Sequence, residues 1–202
     1  MSALEIADIV GIISFAISGF LIAVHHKLDI LGIIITSFLT ALGGGLIRDV
    51  ISNKIPFIFT QNLPIILVTG TVVFAILFKL HKINDLEGKK AFVLSDTIGL
   101  ISFSISGAIL AINLDFNFFG VLLLALITAV GGGTIRDIIV NKVPAFLTSD
   151  FYGSMALIVA SFIYVLDYLN ELTFLTITVT FIFGVALRLL AFYEKWHLPK
   201  LG

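Results

Sequence analysis

The stretch Thr40-Ala41-Leu42-Gly43-Gly44-Gly45-Leu46-Ile47-Arg48-Asp49 recurs further along the chain as Thr128-Ala129-Val130-Gly131-Gly132-Gly133-Thr134-Ile135-Arg136-Asp137. Followed outward without an insertion, the likeness lays the whole segment Asp8 to Pro56 on Asp96 to Pro144. Each copy carries three hydrophobic segments. An odd number of membrane crossings starts the second copy from the opposite side of the bilayer. The copies are therefore expected to be inverted relative to each other, with function at their interface near the midplane.

Composition agrees. The chain is 59% hydrophobic and 12% charged, with a mean hydropathy of +1.15, where a soluble domain is roughly 45–50% apolar and about 25% charged. The net charge of -1 gives no reason to expect a nucleic-acid partner, and membrane lipids are the expected surroundings. With no cysteine, disulfides and thiol chemistry are excluded.

Crossing a hydrocarbon core of about 30 Å takes around 20 mostly apolar residues in a helix. Such segments are read at residues 8–25, 30–52, 63–80, 96–112, 117–140, 151–169 and 172–193. The fold class is thus all-α integral membrane: seven transmembrane helices, arranged as two inverted three-helix repeats (1–84 and 85–170) and a C-terminal seventh helix with a short tail (171–202). Glu5 and Asp8 read as an acidic flank, unlike a cleaved signal peptide. Pro64 suits a first helical turn and Asp150 a cap of the sixth helix. Asn84, Asp85, Glu87 and Gly88 break the pattern within a polar linker from Lys79 to Lys90. Of the 12 Lys and Arg, only Arg48 and Lys54 fall on the side of the N-terminus, and the rest, from Lys27 to Lys200, fall on the other. Positive residues are retained in the cytoplasm, which places the N-terminus outside and the C-terminus inside a cell membrane.

Each glycine in a helix interior costs about 1 kcal/mol relative to alanine, so each triplet is a weak point near mid-membrane. Close helix packing is one use for small residues. Because Gly43, Gly44 and Gly45 point in three directions, a kink or unwound turn with exposed carbonyls is the expectation here, beside Thr40 and Thr128. A stripe of Gly11, Ser14 and Ser18, matched by Gly99, Ser102 and Ser106, lies on one helix face and is assigned to packing. Arg48-Asp49 and Arg136-Asp137 are duplicated adjacent charges. Helix neighbours point about 100° apart, so each Arg is expected to reach the other repeat, a freed carbonyl or the lipid boundary rather than its own Asp. Asn53, Lys54 and Pro56, repeated as Asn141, Lys142 and Pro144, read as helix exit and turn, with Lys54 and Lys142 at the mouths.

Two three-helix repeats, each with Gly-Gly-Gly-x-x-Arg-Asp in its second helix, and a lone seventh helix resemble the prokaryotic members of the trimeric intracellular cation (TRIC) channel family, whose glycine-rich domain is also described as a putative glycine transporter. The resemblance implies a homotrimer with one hydrophilic pore inside each protomer, passing monovalent cations such as potassium. It implies that Gly43 to Gly45 and Gly131 to Gly133 line or gate that pore on bent second and fifth helices. No cofactor beyond the permeant cation is implied; bound lipid is compatible.

Other classes fit poorly. His25, His26, His81 and His197 fall at loops or helix ends, away from any intramembrane metal site or proton relay. No spacing suggests a catalytic triad, so an enzyme is not expected. Two readings stay open: a cation channel, and a secondary transporter of a small zwitterion such as glycine, in which Arg48 and Arg136 would face a substrate carboxylate.

Overall fold

The computed structural model describes residues 2–83, 85–148 and 151–196; Asn84, the expected cap Asp150, and His197 and Lys200 of the tail lie outside them. The regular elements among the described residues are all helices. The elements are α1 (Ala3–His25), α2 (Ile30–Ile51), the single turn α3 (Phe57–Thr60), α4 (Leu63–Leu77), a 3₁₀ turn (Leu80–Lys82), α5 (Asp85–Asn113), α6 (Phe118–Ile139), the single turn α7 (Ala145–Thr148), α8 (Gly153–Tyr168) and α9 (Phe174–Tyr193). Five of them are long and apolar enough to cross a membrane, whereas α4 and α8 are shorter apolar helices of 15 and 16 residues.

Helix starts follow from local chemistry. Ser2 and Glu5 form a capping box on α1, and Asp29 and Asn117 accept the Gly32 and Gly120 N–H groups at the equivalent starts of α2 and α6. The exits repeat as well. Asn53 and Asn141 both take φ of 54°, and behind them the Lys54 and Lys142 N–H groups reach back to the Asp49 and Asp137 carbonyls. Asparagine tolerates this left-handed position and the chain reverses, as expected of the Asn-Lys-x-Pro turn.

Two boundaries differ from the sequence reading. The expected linker is helical from Asp85 onward, because one glycine, Gly88, with open space around it, costs too little to end a helix. The N-terminal helix starts at Ala3 rather than residue 8, because its capping box fixes the start at Ser2. Asp8 therefore lies inside α1, not on its flank.

The core is built from equivalent helices packed antiparallel. On α1 and α5, Gly11 faces the Phe103 ring and Gly99 faces the Phe15 ring, and the two rings meet at 5.3 Å between centroids. On α2 and α6, Gly44 faces the Thr128 carbonyl and Gly132 faces the Thr40 carbonyl. In both pairs the residue numbers run in opposite senses. Reciprocal contacts of this kind are what a two-fold axis between the copies produces.

Candidate functional site: two arginine clusters astride a glycine crossing

Neither glycine triplet interrupts its helix: α2 and α6 are continuous through Gly43–Gly45 and Gly131–Gly133. This corrects the expectation of an unwound turn. All six glycines are buried, and the three directions of a triplet each meet a neighbour. A Cβ on Gly43 would come 2.6 Å from Ile135, one on Gly45 would come 2.5 Å from the Phe57 ring, and one on Gly44 would overlap the Thr128 carbonyl. A methyl group there would push the helices apart, so the glycines permit a backbone-to-backbone crossing. Thr40 and Thr128 are fully buried in it, their hydroxyls returned to the Thr36 and Leu124 carbonyls at 2.6 Å.

One turn beyond the crossing, in opposite directions, lie Arg48 and Arg136. Arg48 is 3% exposed; its Nη1 contacts Asp8 Oδ1 at 2.6 Å, and its Nε and Nη2 both lie 2.9 Å from Asp49 Oδ1. The same Nη1 donates to the Ser106 hydroxyl of the other copy, which in turn donates to Asp8 Oδ1 at 2.5 Å. Arg136, 1% exposed, repeats the pattern with Asp96 at 2.5 Å, Asp137 at 2.8–2.9 Å and Ser18 of the first copy at 2.6 Å. Each Arg thus does pair with its own Asp, contrary to the sequence reading. A 100° offset between neighbours is bridged by the length of the arginine stem. The second carboxylate oxygen is used too: Asp49 accepts the Phe57 N–H at 3.0 Å and Asp137 the Ala145 N–H at 2.8 Å. The chain reversal after Asn53 and Asn141 brings those amides back. Buried charges persist only when paired and hydrogen-bonded in this way.

The carboxylates Asp8 and Asp96 were missed as site residues. Their signal was present: they are the first identical pair of the repeat, but hydropathy put Asp8 at the very edge of its span, where it read as part of an acidic flank. Ser18 and Ser106, assigned to packing, also belong to the clusters, while Gly11 and Gly99 do pack.

The two clusters have different surroundings. Asp8, Arg48 and Asp49 open into a cavity of about 730 Å³ that also reaches Glu5, Lys54, Phe57 and Gln61. The second cluster is covered. Phe92 lies under the Arg136 guanidinium at 4.8 Å, and Tyr152, 3% exposed, carries Arg188 of α9 over its ring at 5.2 Å. The repeat places Leu4 and Pro64 where Phe92 and Tyr152 stand in the second copy, and both line the cavity. Lys54 lies at the cavity and Lys142 is exposed at the turn after α6. Burial, then Lys142 and His25, hold His26 below the usual histidine range. Among the described residues no His, Asp and Glu group is arranged to hold a metal ion.

A family model described as "Glycine transporter" matches residues 5–80 and 93–168, one match for each copy. The UPF0126 membrane protein YvgT of Bacillus subtilis (strain 168) is 33% identical over 98% of this chain and 96% of its own length. Among solved structures, a prokaryotic TRIC channel crystallised in 0.5 M KCl superposes with a TM-score of 0.88 at 32% identity, covering 96% of this chain and 98% of that one. The chain belongs to the prokaryotic TRIC channel family. A second structure, of TRIC cation channels, matches at a TM-score of 0.83 and 34% identity over 98% of this chain and 97% of the other. This TRIC family member is accordingly a multi-pass, all-α membrane protein.

Proposed function

We propose that the protein is a potassium-permeable cation channel with its pore inside each protomer, running from the open cavity along the α2–α6 crossing to the second cluster. The observation that carries this reading is the pair of buried arginine–aspartate clusters at opposite ends of one glycine crossing, one of them open to a wide cavity. The described state is closed at the crossing, where Gly43–Gly45 and Gly131–Gly133 form the constriction beside Thr40 and Thr128. Arg48, Asp49, Arg136 and Asp137 form the charge network at its two ends, and Lys54 and Lys142 mark the mouths. A positive charge in a narrow, poorly solvated passage repels a cation far more than in water, so the charge of each Arg is offset by carboxylates.

The proposed topology is seven spans, with α3–α4 and α7–α8 completing the third and sixth. Repeats 1–84 and 85–170 are inverted, 171–202 forms the last helix and tail, and the N-terminus lies outside. Assembly as a homotrimer in the cell membrane is part of the same reading, supported by a relative described as a trimeric intracellular cation channel orthologue.

One observation favours a second reading. A site open at one end and covered at the other is also the form of an outward-open carrier, and the matching family model is described as a glycine transporter. Planar bilayer recording with glycine calorimetry separates the two. Unitary currents reversing near the potassium equilibrium potential are expected. Saturable glycine binding that is lost in Arg48→Gln, with no unitary current, would overturn the channel.

A further inference from the structure

The two copies part company beside the second cluster. Leu63 and Pro64 are the first helical residues of α4, whereas their equivalents Phe151 and Tyr152 stand outside α8, which starts at Gly153. Phe151 takes a φ of 56°. The other left-handed non-glycine positions among the described residues are held by Lys, Asn and Asp, and a bulky ring is a poorer tenant of that conformation. Such backbone strain persists only where the surroundings impose it. Here they do so from two sides. The Phe151 ring meets the Trp196 ring at 5.6 Å between centroids, edge to face. Trp196 is in turn fixed to the end of α9, where its N–H donates to the Ala191 carbonyl at 3.0 Å. On the other side, the buried Tyr152 hydroxyl lies 3.3 Å, and Arg136 Nη2 3.6 Å, from where a Cβ on Gly133 would stand. Tyr152 thus fills the corner between the last glycine of the triplet and the arginine of the cluster. Its counterpart Pro64 lines the open cavity of about 730 Å³.

We propose that Tyr152 is the gate at the second end of the pore and that Phe151 is its hinge, latched from α9 by Trp196. The inference rests on the channel reading. Opening swings the Tyr152 ring off Gly133 and Arg136 as Phe151 leaves its left-handed conformation, and the second cluster gains a vestibule like that of the first. The strain at Phe151 favours the open state and the ring contact favours the closed one, which is the balance a two-state element needs. The helix that holds the latch stands outside both copies and has the smallest buried share of the five candidate spans. It also sets Arg188 over the Tyr152 ring at 5.2 Å. A shift of α9 therefore acts on hinge and gate together without dismantling the α1, α2, α5 and α6 core.

Single-channel recording of wild type, Trp196→Ala, Trp196→Phe, Tyr152→Ala and the Trp196→Ala/Tyr152→Ala double variant tests it, with thermal stability and oligomeric state measured on each. Trp196 is 43% exposed, so truncating it removes the latch with little loss of buried packing. Trp196→Ala should raise open probability about threefold to tenfold at unchanged unitary conductance, and Trp196→Phe, which keeps a ring, should remain near wild type. Tyr152→Ala should raise it at least as much. With the gate gone the latch has nothing to hold, so the double variant should match Tyr152→Ala alone. Unchanged open probability in assembled Trp196→Ala and Tyr152→Ala would overturn the gate while leaving the channel intact. Additive effects in the double variant would uncouple Trp196 from Tyr152 and overturn the latch. Loss of assembly in Trp196→Ala, regained in Trp196→Phe, would make the ring contact structural and equally overturn it. Absence of unitary current in wild type would remove the channel reading, and this inference with it.

Discussion

The Arg48 and Arg136 clusters are built from the same residue types in the same geometry, yet one lines an open cavity and the other is covered. The difference comes from what lies around them. Leu4 and Pro64 leave the first cluster open where Phe92 and Tyr152 cover the second, and α9 sets Arg188 over the Tyr152 ring. Duplication thus supplies two equivalent charged ends, and small departures from it make one a vestibule and the other a closure.

The sharpest test of that contrast is to neutralise the equivalent carboxylates. Asp96→Asn leaves Arg136 incompletely compensated in a sealed site, which should cost about 3–5 kcal/mol. Asp8, whose side chain is 16% exposed against 7% for Asp96, faces a cavity that solvent enters, so Asp8→Asn should cost about 1–2 kcal/mol. Denaturation of the purified protein in detergent measures both. Equal losses would mean that the two clusters are equally dry.

The glycine crossing lies between the clusters and should respond alike from either side. Gly44→Ala and Gly132→Ala each place a methyl against a backbone carbonyl and should lower stability by about 1–3 kcal/mol. Gly70→Ala, with nothing within 4 Å of the added carbon, should be neutral or stabilise α4 by up to about 1 kcal/mol. Melting temperatures check this. Unchanged stability in Gly44→Ala with altered conduction would restore the hinge reading of the triplet.

Much of the fold was legible because hydropathy and an ungapped repeat are long-range signals. The starts of α2 and α6, the turn after Asn53 and Asn141, and the antiparallel setting of equivalent helices are written in short motifs and in the parity of the segments. The triplet was misread for a physical reason. Three glycines on three faces look like lost stiffness until Ile135, the Thr128 carbonyl and Phe57 are seen to fill those directions, and all three belong to other helices that meet the triplet only on folding. Asp8 was lost because an acidic residue early in a span reads as its edge, although its identity with Asp96 marked it. Arg188 carried no repeat signal, and only the packing of α9 brings it over the Tyr152 ring.

The carboxylates at the open end are the centre of this account, and the potassium-to-chloride permeability ratio of Asp8→Asn, from reversal potentials in a KCl gradient, measures their effect most directly. Removing one charge from the wall of the vestibule at an effective dielectric near 20 is worth roughly a tenfold change. A fall of that order against wild type, reduced as ionic strength is raised, is the expected result. A conducting Asp8→Asn variant with the wild-type ratio would contradict it.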